Sequence, residues 1–330
     1  MRIAVMGYGS IARRHIDIIA AMIGRESLDL LVCRERELPL RPEHAWARVT
    51  ADFDDVVRFA PGMAVIASPA TRHVEQALKL AGLGVHMLIE KPLSADLSGA
   101  DDLIRSCEKN GAAALTAYNM NYLEPLNRVI DMITSGGIGE VISISAEVGQ
   151  YLPLWRPEAD YRSVVSANSS LGGGVLLELS HEIEYADRML GGARSVSCVC
   201  SKSGILDMDA EDRADILLEG ARGSTAAIHM NMLQKVVTRS CRAVGTEGVL
   251  TLDFIKNKIF VRSTDDAEPR LCFQSEEGEG NKAYVEQMRH FFSCARGESV
   301  PLVPLSRGAR VVELVMAAKE SSSKGMRIPV

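Results

Sequence analysis

The chain has 330 residues and a net charge of −6 at pH 7, with 37 lysine and arginine residues against 43 aspartate and glutamate residues. This length predicts two domains, and interspersed charges without a basic stripe argue against a nucleic-acid partner. The chain has no apolar run of about 20 residues and no signal-peptide pattern, so we expect a cytoplasmic protein without membrane contact. Its seven cysteines include no CxxC pair, so we expect reduced thiols.

The first element is a short apolar run, Arg2–Met6, that leads directly into a GxGxxA motif. A strand that enters this motif and then a helix places backbone N–H groups and the positive helix end against a pyrophosphate. We therefore predict a bound dinucleotide, although a glycine turn that merely joins strand to helix is the alternative. The expected contacts come from five residues of the motif: Gly7, Gly9, Ser10, Ile11 and Ala12.

Short apolar runs alternate with helical stretches up to about residue 120, which is typical of a parallel sheet covered on both faces. We predict an α/β fold with an N-terminal Rossmann dinucleotide-binding domain over residues 1–120. The predicted strands cover 3–6, 28–33, 64–67, 86–89 and 113–117. The predicted helices cover 11–23, 54–59, 71–80 and 98–110.

After a helix at 125–134 the pattern changes to period-two alternation, which predicts a C-terminal α+β domain over residues 121–330 with a largely antiparallel open sheet. The predicted strands cover 141–148, 196–201, 214–219, 225–232, 241–245, 249–253 and 258–262, and helices follow at 282–295 and 306–322. The apolar runs 226–228 and 249–250 predict an apolar open face. We therefore expect a homodimer or homotetramer packed through this sheet.

The end of the second strand bears on the choice of coenzyme. In dinucleotide folds an acid there binds the 2′-hydroxyl of NAD, whereas a basic residue accommodates the 2′-phosphate of NADP. This chain has Arg34-Glu35-Arg36 at that place. Arg34 and Arg36 favour NADP, Glu35 leaves NAD open, and two arginines after a strand are also typical of a solvated turn.

Two further segments follow the third and fourth predicted strands, at the edge where ligands of open α/β sheets bind. The first runs from Ser68-Pro69 to His73, and the second is Glu90-Lys91-Pro92. A Lys-Pro bond adopts the cis form more readily than bonds to other residue types. A cis turn here would fix the Lys91 ammonium over the cleft. A plain surface lysine is the alternative.

With these motifs, with Tyr118-Asn119-Met120 and with a triple glycine, 172–174, leading to His181, the chain resembles the Gfo/Idh/MocA oxidoreductases over its whole length. That family uses a nicotinamide coenzyme on sugars and cyclitols. The resemblance implies a substrate contact from Tyr118. It implies coenzyme contacts from Ser68, Pro69, His73, Glu90, Lys91 and Asn119.

The chain departs from the family pattern at three positions. Glu178 stands where the family usually has an aspartate three residues before the histidine, and Glu184 stands where it commonly has one three residues after. Asn121 follows the Tyr118 motif, where relatives often carry arginine. The acid chemistry is kept, but its geometry shifts by one methylene.

Residues 175–190 show helical periodicity, with Glu178, His181, Glu182 and Tyr185 on a face different from the apolar stripe. We predict that His181 is the general base for a hydroxyl group and that the Lys91 ammonium stabilises the developing alkoxide, with exchanged roles as the alternative. Glu178 would orient the imidazole or bind a neighbouring hydroxyl, and Tyr185 would contact substrate. Because Tyr185 stands where an HExxH motif needs its second histidine, we expect no catalytic metal.

A segment between the first strand of the second domain and the triple glycine is rich in aromatic and basic side chains. Trp155 and Tyr161 are suited to stack on a sugar, and Arg156 and Arg162 are suited to bind a carboxylate or phosphate. The alternative is a surface loop whose aromatic residues pack against the sheet.

These observations predict an NAD(P)-dependent oxidoreductase that acts on a secondary hydroxyl or keto group of a sugar, sugar acid or nucleotide-linked sugar. Two alternatives remain open within the resemblance. One is a glycosidase that uses a redox cycle and returns its coenzyme unchanged. The other is a coenzyme-sensing regulator on the same fold, against which Lys91 and His181 both argue.

Overall fold

The computed structural model describes residues 1–35, 39–157, 159–275 and 279–330. The chain separates into two compact units, each made of two chain segments. The first unit comprises 1–119 and 281–310, and the second comprises 120–280 and 311–330. In the part of the chain that is described, no helix is both long enough and apolar enough to cross a membrane.

The first unit contains a six-stranded parallel sheet, as predicted for a Rossmann domain. Its strands lie in the order β3-β2-β1-β4-β5-β6, so the strand order reverses between β1 and β4, where open α/β sheets bind their ligands. The strands are β1 (Arg2–Met6), β2 (Asp29–Cys33), β3 (Arg48–Thr50), β4 (Met63–Ile66), β5 (His86–Ile89) and β6 (Ala114–Thr116).

Among the described residues, four helices connect these strands, each within two residues of its predicted range. In the first helix, Ala12, Ile16 and Ile19 are fully buried, which fixes it on the sheet. The helices are α1 (Ser10–Ile23), α2 (Phe53–Phe59), α3 (His73–Ala81) and α4 (Ala100–Asn110). The three-residue strand β3 escaped prediction because it is too short for a period to be recognised.

A helix that the sequence analysis assigned to the second domain belongs to the first unit. Helix α8 (Glu279–Ala295) places Met288 and Phe291, both fully buried, in the same apolar cluster as Ile3 and Ile16. Its apolar face therefore completes the core of the Rossmann sheet. Sequence position alone gave no sign of this return of the chain.

The second unit contains a nine-stranded sheet in the order β14-β13-β12-β11-β7-β10-β9-β8-β15. The central pair β7 and β10 is parallel and the other pairs are antiparallel, so the sheet is largely antiparallel as predicted. The strands are β7 (Val141–Tyr151), β8 (Ser195–Ser201), β9 (Arg213–Glu219), β10 (Thr225–Asn231), β11 (Leu233–Gly245), β12 (Gly248–Asp253), β13 (Lys258–Ser263), β14 (Arg270–Gln274) and β15 (Ile328–Pro329).

The expectation of an apolar open sheet face is wrong. Ala226, Ile228 and Leu250 lie on the buried face, because alternate residues of a strand point to opposite sides. The open face carries mainly small, polar and charged side chains, with Ala227 and Val249 left from the two apolar runs. A depression of about 810 Å³ on this face is lined by residues that include Ser145, Glu147, Asp215, His229 and Arg242.

The helical stretch expected over 175–190 is broken into two helices, α6 (Val175–Glu178) and α7 (His181–Leu190). Leu179 leaves the helical conformation with φ −104° and ψ 26°, so the angle of 100° per residue does not carry from Glu178 to His181. The other helices are α5 (Glu124–Thr134) and α9 (Leu305–Lys324).

Candidate active site

The glycine motif forms the turn between β1 and α1 at the reversal of strand order. Gly7 has φ +95°, and a Cβ atom there would lie 2.5 Å from the carbonyl oxygen of Ala67. Glycine is therefore required both for the backbone conformation and for the close approach of the loop after β4. A Cβ at Gly9, in contrast, would meet nothing within 4 Å, so the backbone faces open space there.

The beginning of α1 is suited to a pyrophosphate. Gly9 is its N-cap, no side chain caps its first N–H groups, and its first turn contains no acidic residue. Ser10 is exposed, Ile11 is half-buried and Ala12 packs against the sheet. Unsatisfied N–H groups at the positive end of a 14-residue helix bind anions readily, so these residues fit the phosphates of a dinucleotide.

The end of β2 has a basic character. The Arg34 guanidinium lies 5.3 Å from the centroid of the Tyr8 ring, and that of Arg13 lies 5.7 Å from the same centroid. Glu35, the acid that would favour NAD, is paired with Arg72 at 3.1 Å. Arg36 lies outside the described residues.

Tyr8 is held in place by a chain of hydrogen bonds. Its hydroxyl lies 2.8 Å from Nδ1 of His44 and accepts a hydrogen bond from the backbone N–H of Arg41 at 3.0 Å. Nε2 of the buried His44 lies 2.9 Å from a carboxylate oxygen of Asp17. The ring that stacks with Arg34 is therefore fixed from both helix α1 and the loop after β2.

The loop after β4 contains Ser68 and Pro69 close to Gly7. The Ser68 hydroxyl donates to Oε1 of Gln76 at 2.7 Å. His73, expected as a coenzyme contact, is 1% exposed. Its ring nitrogens lie 2.8 Å from the carbonyl oxygen of Ser68 and 3.0 Å from that of Pro92, and burial lowers its pKa. His73 thus ties two loops together inside the unit.

The loop after β5 contains the half-buried Lys91, and the Lys91-Pro92 bond is cis, as predicted. Glu90 is 7% exposed, and its Oε1 lies 2.7 Å from Nε2 of the fully buried His15. Its Oε2 accepts the backbone N–H of Lys91 at 3.2 Å. Both Glu90 oxygens therefore bind protein groups.

Tyr118 and Asn119 follow β6. Tyr118 is fully buried, whereas Asn119 is half-buried and donates its backbone N–H to the carbonyl oxygen of Ala117 at 2.9 Å. The structure thus gives Asn119 the more accessible position of the two.

In the second unit the triple glycine brings a loop against α6. A Cβ at Gly173 would lie 2.2 Å from the carbonyl oxygen of Val165, so only glycine allows this approach. Ser166, at the approaching loop, donates its hydroxyl hydrogen to Oε2 of Glu178 at 3.0 Å. The motif therefore fixes the carboxylate of Glu178.

Helix α7 begins at His181 and is buried over most of its length, including Glu182 and Tyr185 of the predicted polar face. Glu182 is fully buried and forms a two-pronged ion pair with Arg239 of β11, at 2.7 and 3.0 Å. Tyr185, expected to contact substrate, is 0% exposed, and its ring centroid lies 5.8 Å from that of Phe254. Burial raises the pKa of Tyr185 well above its ordinary value.

Two of the three departures from the family pattern contact each other. Asn121 donates its side-chain N–H to Oε2 of Glu184 at 3.0 Å, and its side-chain oxygen accepts from Arg188 at 2.8 Å. Asn121 is shorter than the arginine of the family pattern, and Glu184 is one methylene longer than the aspartate of that pattern, so the two differences in length compensate each other. The guanidinium in this network comes from Arg188 on α7.

The aromatic and basic segment after β7 is largely occupied by its own contacts. Trp155, Arg156 and Tyr161 line a small cavity together with Leu152, Val164 and Ser166. Arg162 makes a forked pair with Asp160 that lowers the pKa of Asp160. Arg156 is exposed.

Sequence reasoning missed several contributors to these arrangements, among them Tyr8, His15, Arg72 and Ser166. Tyr8 lies inside the recognised glycine motif and His15 lies three residues after it, which was the available signal for both. Arg72 and Ser166 act across loops whose close approach depends on the fold, and the sequence carried no signal for their partners. Among the described residues, no three metal-ligating side chains come together.

Known proteins match the chain in both sequence and fold. A sequence model described as oxidoreductase family, NAD-binding Rossmann fold, matches residues 1–118, and one described as GFO/IDH/MocA C-terminal domain matches 126–251. The chain is 25% identical over 262 residues to 1,5-anhydro-D-fructose reductase of Ensifer adhaerens, covering 76% of this chain and 74% of that protein.

Two further proteins illustrate the range of relatives. Glucose-6-phosphate 3-dehydrogenase of Bacillus subtilis is 25% identical over 178 residues, which is 54% of this chain and half the length of that enzyme. The WlbA dehydrogenase of Bordetella pertussis, solved in complex with NADH and UDP-GlcNAcA, shares the fold with a TM-score of 0.83. It is 21% identical, and the match covers 100% of this chain and 98% of that chain.

The Glu182–Arg239 pair yields a prediction about stability. Replacing Arg239 by leucine leaves a buried carboxylate without its partner, so the free energy of unfolding should fall by about 3–5 kcal/mol. Urea denaturation measures this change. The double variant Glu182→Leu/Arg239→Leu should recover a large part of the loss, whereas a loss no greater than that of the exposed Arg213→Leu control would contradict a buried pair.

Proposed function

Because the chain belongs to the Gfo/Idh/MocA family of oxidoreductases, we propose that it transfers a hydride between a nicotinamide coenzyme and a secondary hydroxyl or keto group of a sugar, sugar acid or nucleotide-linked sugar. The observation that carries this proposal is the uncapped beginning of α1 at the reversal of strand order. Lys91 follows β5, which is the second strand from β1 in the same sheet. Relatives named as sugar dehydrogenases and reductases support the substrate class.

The coenzyme, when bound, supplies a nicotinamide ring that accepts or gives the hydride. In the oxidation, His181 removes the proton of the substrate hydroxyl while the electron pair of the C–H bond leaves with the hydride. The Lys91 ammonium donates a hydrogen bond to the same oxygen and stabilises its developing negative charge, an effect of about 3–4 kcal/mol for comparable donors. The opposite assignment of these two roles is the alternative.

Glu178 is proposed to orient the imidazole of His181 or to accept a hydrogen bond from a second substrate hydroxyl. Its bond from Ser166 supports a fixed carboxylate. For the substrate itself, Arg156 is exposed and suited to an anionic group, whereas the Arg162 guanidinium is already paired with Asp160. Trp155, Tyr161 and Tyr118 remain proposed substrate contacts of lower accessibility, and Asn119 remains a proposed coenzyme contact.

We further propose that NADP is the preferred coenzyme. Arg34, stacked on Tyr8 beside Arg13, gives the end of β2 a positive charge, and Glu35, the acid weighed as favouring NAD, is paired with Arg72. A 2′-phosphate adds negative charge at this place, which guanidinium groups bind well.

Seven free thiols are consistent with a reducing compartment, so we place the reaction in the cytoplasm.

The proposed function is tested by following the absorbance of reduced coenzyme with NADP or NAD and a panel of sugar acids, nucleotide sugars and cyclitols. Coenzyme reduction by one class identifies the substrate and supports the proposal. Product formed without a net change in coenzyme would instead indicate a redox-cycling glycosidase. Coenzyme binding without any product would indicate a regulator.

Lys91 yields a prediction about catalysis. Lys91→Ala should keep the coenzyme dissociation constant and lower kcat by about 100- to 1,000-fold, because the variant lacks the donor that stabilises the alkoxide. Steady-state kinetics and coenzyme fluorescence measure the two quantities. The matched control is Lys79→Ala, which removes an exposed lysine of the same unit. Unchanged turnover would remove Lys91 from the mechanism.

Arg34 yields a prediction about coenzyme choice. Arg34→Ala should weaken NADPH binding by about 10- to 100-fold through loss of a charged hydrogen bond, and should leave NADH binding unchanged. Titration of coenzyme fluorescence measures both affinities. Arg25→Ala, which removes a guanidinium stacked on Trp46, is the control. Equal affinities of the unaltered protein for the two coenzymes would contradict the preference.

We also propose a homodimer or homotetramer through the open face of the nine-stranded sheet. The face is mixed rather than apolar, but it exposes Val199 (71%) and Leu217 (39%) beside the small Ala227. Asp215 and Arg242 offer charges of both signs to a second copy. Small side chains and complementary charges favour close packing of two equivalent faces.

The assembly has its own prediction. Light scattering should give a mass of at least two chains for the unaltered protein, and Ala227→Arg should lower it toward one chain by placing a long charged group on the open face. Ile255→Arg, at an exposed turn position, is the control and should leave the mass unchanged. A one-chain mass for the unaltered protein would refute the assembly.

A further inference from the structure

A buried carboxylate lies directly behind the proposed catalytic lysine. Glu90 ends strand β5, and its side chain turns inward to His15 on α1, with 2.7 Å between Oε1 and Nε2. The side chains of His15 and Glu90 are 0% and 9% exposed. The other oxygen, Oε2, accepts the backbone N–H of Lys91 at 3.2 Å. Glu90 thus joins helix α1 to the backbone of Lys91.

The direction of the His15 hydrogen bond follows from its other ring nitrogen. Nδ1 of His15 is buried and has no hydrogen-bond partner among the described residues, and the ring packs edge-on against Tyr284. A hydrogen on Nδ1 would be a buried donor without an acceptor, which is costly. The hydrogen therefore belongs on Nε2, which donates to a Glu90 carboxylate.

A second buried histidine holds the same turn from the other side. His73, at the beginning of α3, contacts the carbonyl oxygen of Pro92 at 3.0 Å and that of Ser68 at 2.8 Å. The turn from Glu90 to Pro92 is therefore attached to α1 through His15 and to α3 through His73. The backbone of Lys91 has little freedom between them.

We propose that His15 and Glu90 are a positioning pair that fixes the backbone of Lys91 and, through it, the place from which the ammonium group acts. This inference rests on the proposed function of Lys91. It assigns Glu90 an internal role in place of the expected coenzyme contact, since both of its oxygens bind protein groups. Apolar residues of similar size would be cheaper to bury, so the polar pair gives geometry rather than stability.

The test compares two substitutions of His15 in the full chain. Glutamine places its side-chain N–H as many bonds from Cα as Nε2 of histidine, whereas leucine fills the space without a donor. Leucine should lower kcat by up to about 100-fold, the cost of a misplaced catalytic group, with the coenzyme dissociation constant changed less than about threefold. Glutamine should restore most of the lost kcat, because it restores the donor.

The matched control is His86→Gln, at the amino end of the same strand β5, which should change neither kcat nor coenzyme binding. If leucine fails to fold, Glu90→Gln replaces it, with the same expected fall in kcat at constant coenzyme affinity. If the role of His15 is purely structural, the leucine and glutamine variants should lose kcat equally, in step with their loss of thermal stability. That result, or an unchanged kcat in the leucine variant, overturns the positioning pair.

Failure of this inference is distinguishable from failure of the proposed function. Lys91→Ala is measured in parallel under the same conditions. If Lys91→Ala keeps full turnover, the function proposed for Lys91 is wrong and the pair has nothing catalytic to position. If Lys91→Ala is inactive while His15→Leu and Glu90→Gln are fully active, only the positioning pair is wrong.

Discussion

The close approach of Gly7 to the carbonyl oxygen of Ala67 is the constraint on which the rest of the first unit depends. It brings the loops after β1 and β4 together at the reversal of strand order, with α1 directed at the space beside them. The positive helix end, the stacked Arg34 and the turn containing Lys91 all belong to this one sheet edge. A side chain at residue 7 would separate the two loops and disturb each of these arrangements.

Regular elements with a full period were predictable from the sequence, and contacts between loops were not. Five of the six parallel strands of the first unit, and β8, β9, β10, β12 and β13 of the second, were found within one or two residues, because buried runs and alternation depend on local pattern. Strands β3, β14 and β15 were missed, and β11 begins eight residues before its predicted start. The break at Leu179 was missed since apolar residues continue through it, so Glu178 was wrongly placed on the same helix face as His181. Glu182 and Tyr185 were expected on a polar face, but both are buried. The roles of Arg72 and Ser166 depend on partners in other elements, Glu35 and Glu178, which only the fold brings close.

The recognised motifs named the right segments but not what each side chain does there. Glu90 and His73 lie in segments expected to bind coenzyme, yet their polar atoms contact protein groups and they hold neighbouring loops together. The departures at Asn121 and Glu184 were each noticed separately, although they form one hydrogen bond. A sequence motif therefore combines residues that contact a ligand with residues that support them, and the three-dimensional structure distinguishes the two.

The two units are assembled from alternating pieces of the chain, and this has a consequence for how the protein is made. The core of the first unit joins Ile3 of the first strand to Phe291 of helix α8. Synthesis has to reach that helix before the Rossmann core is complete, so the first strands emerge long before their last partner. During that interval the growing chain exposes an unfinished apolar surface, and a fragment that ends at residue 119 would keep it exposed permanently.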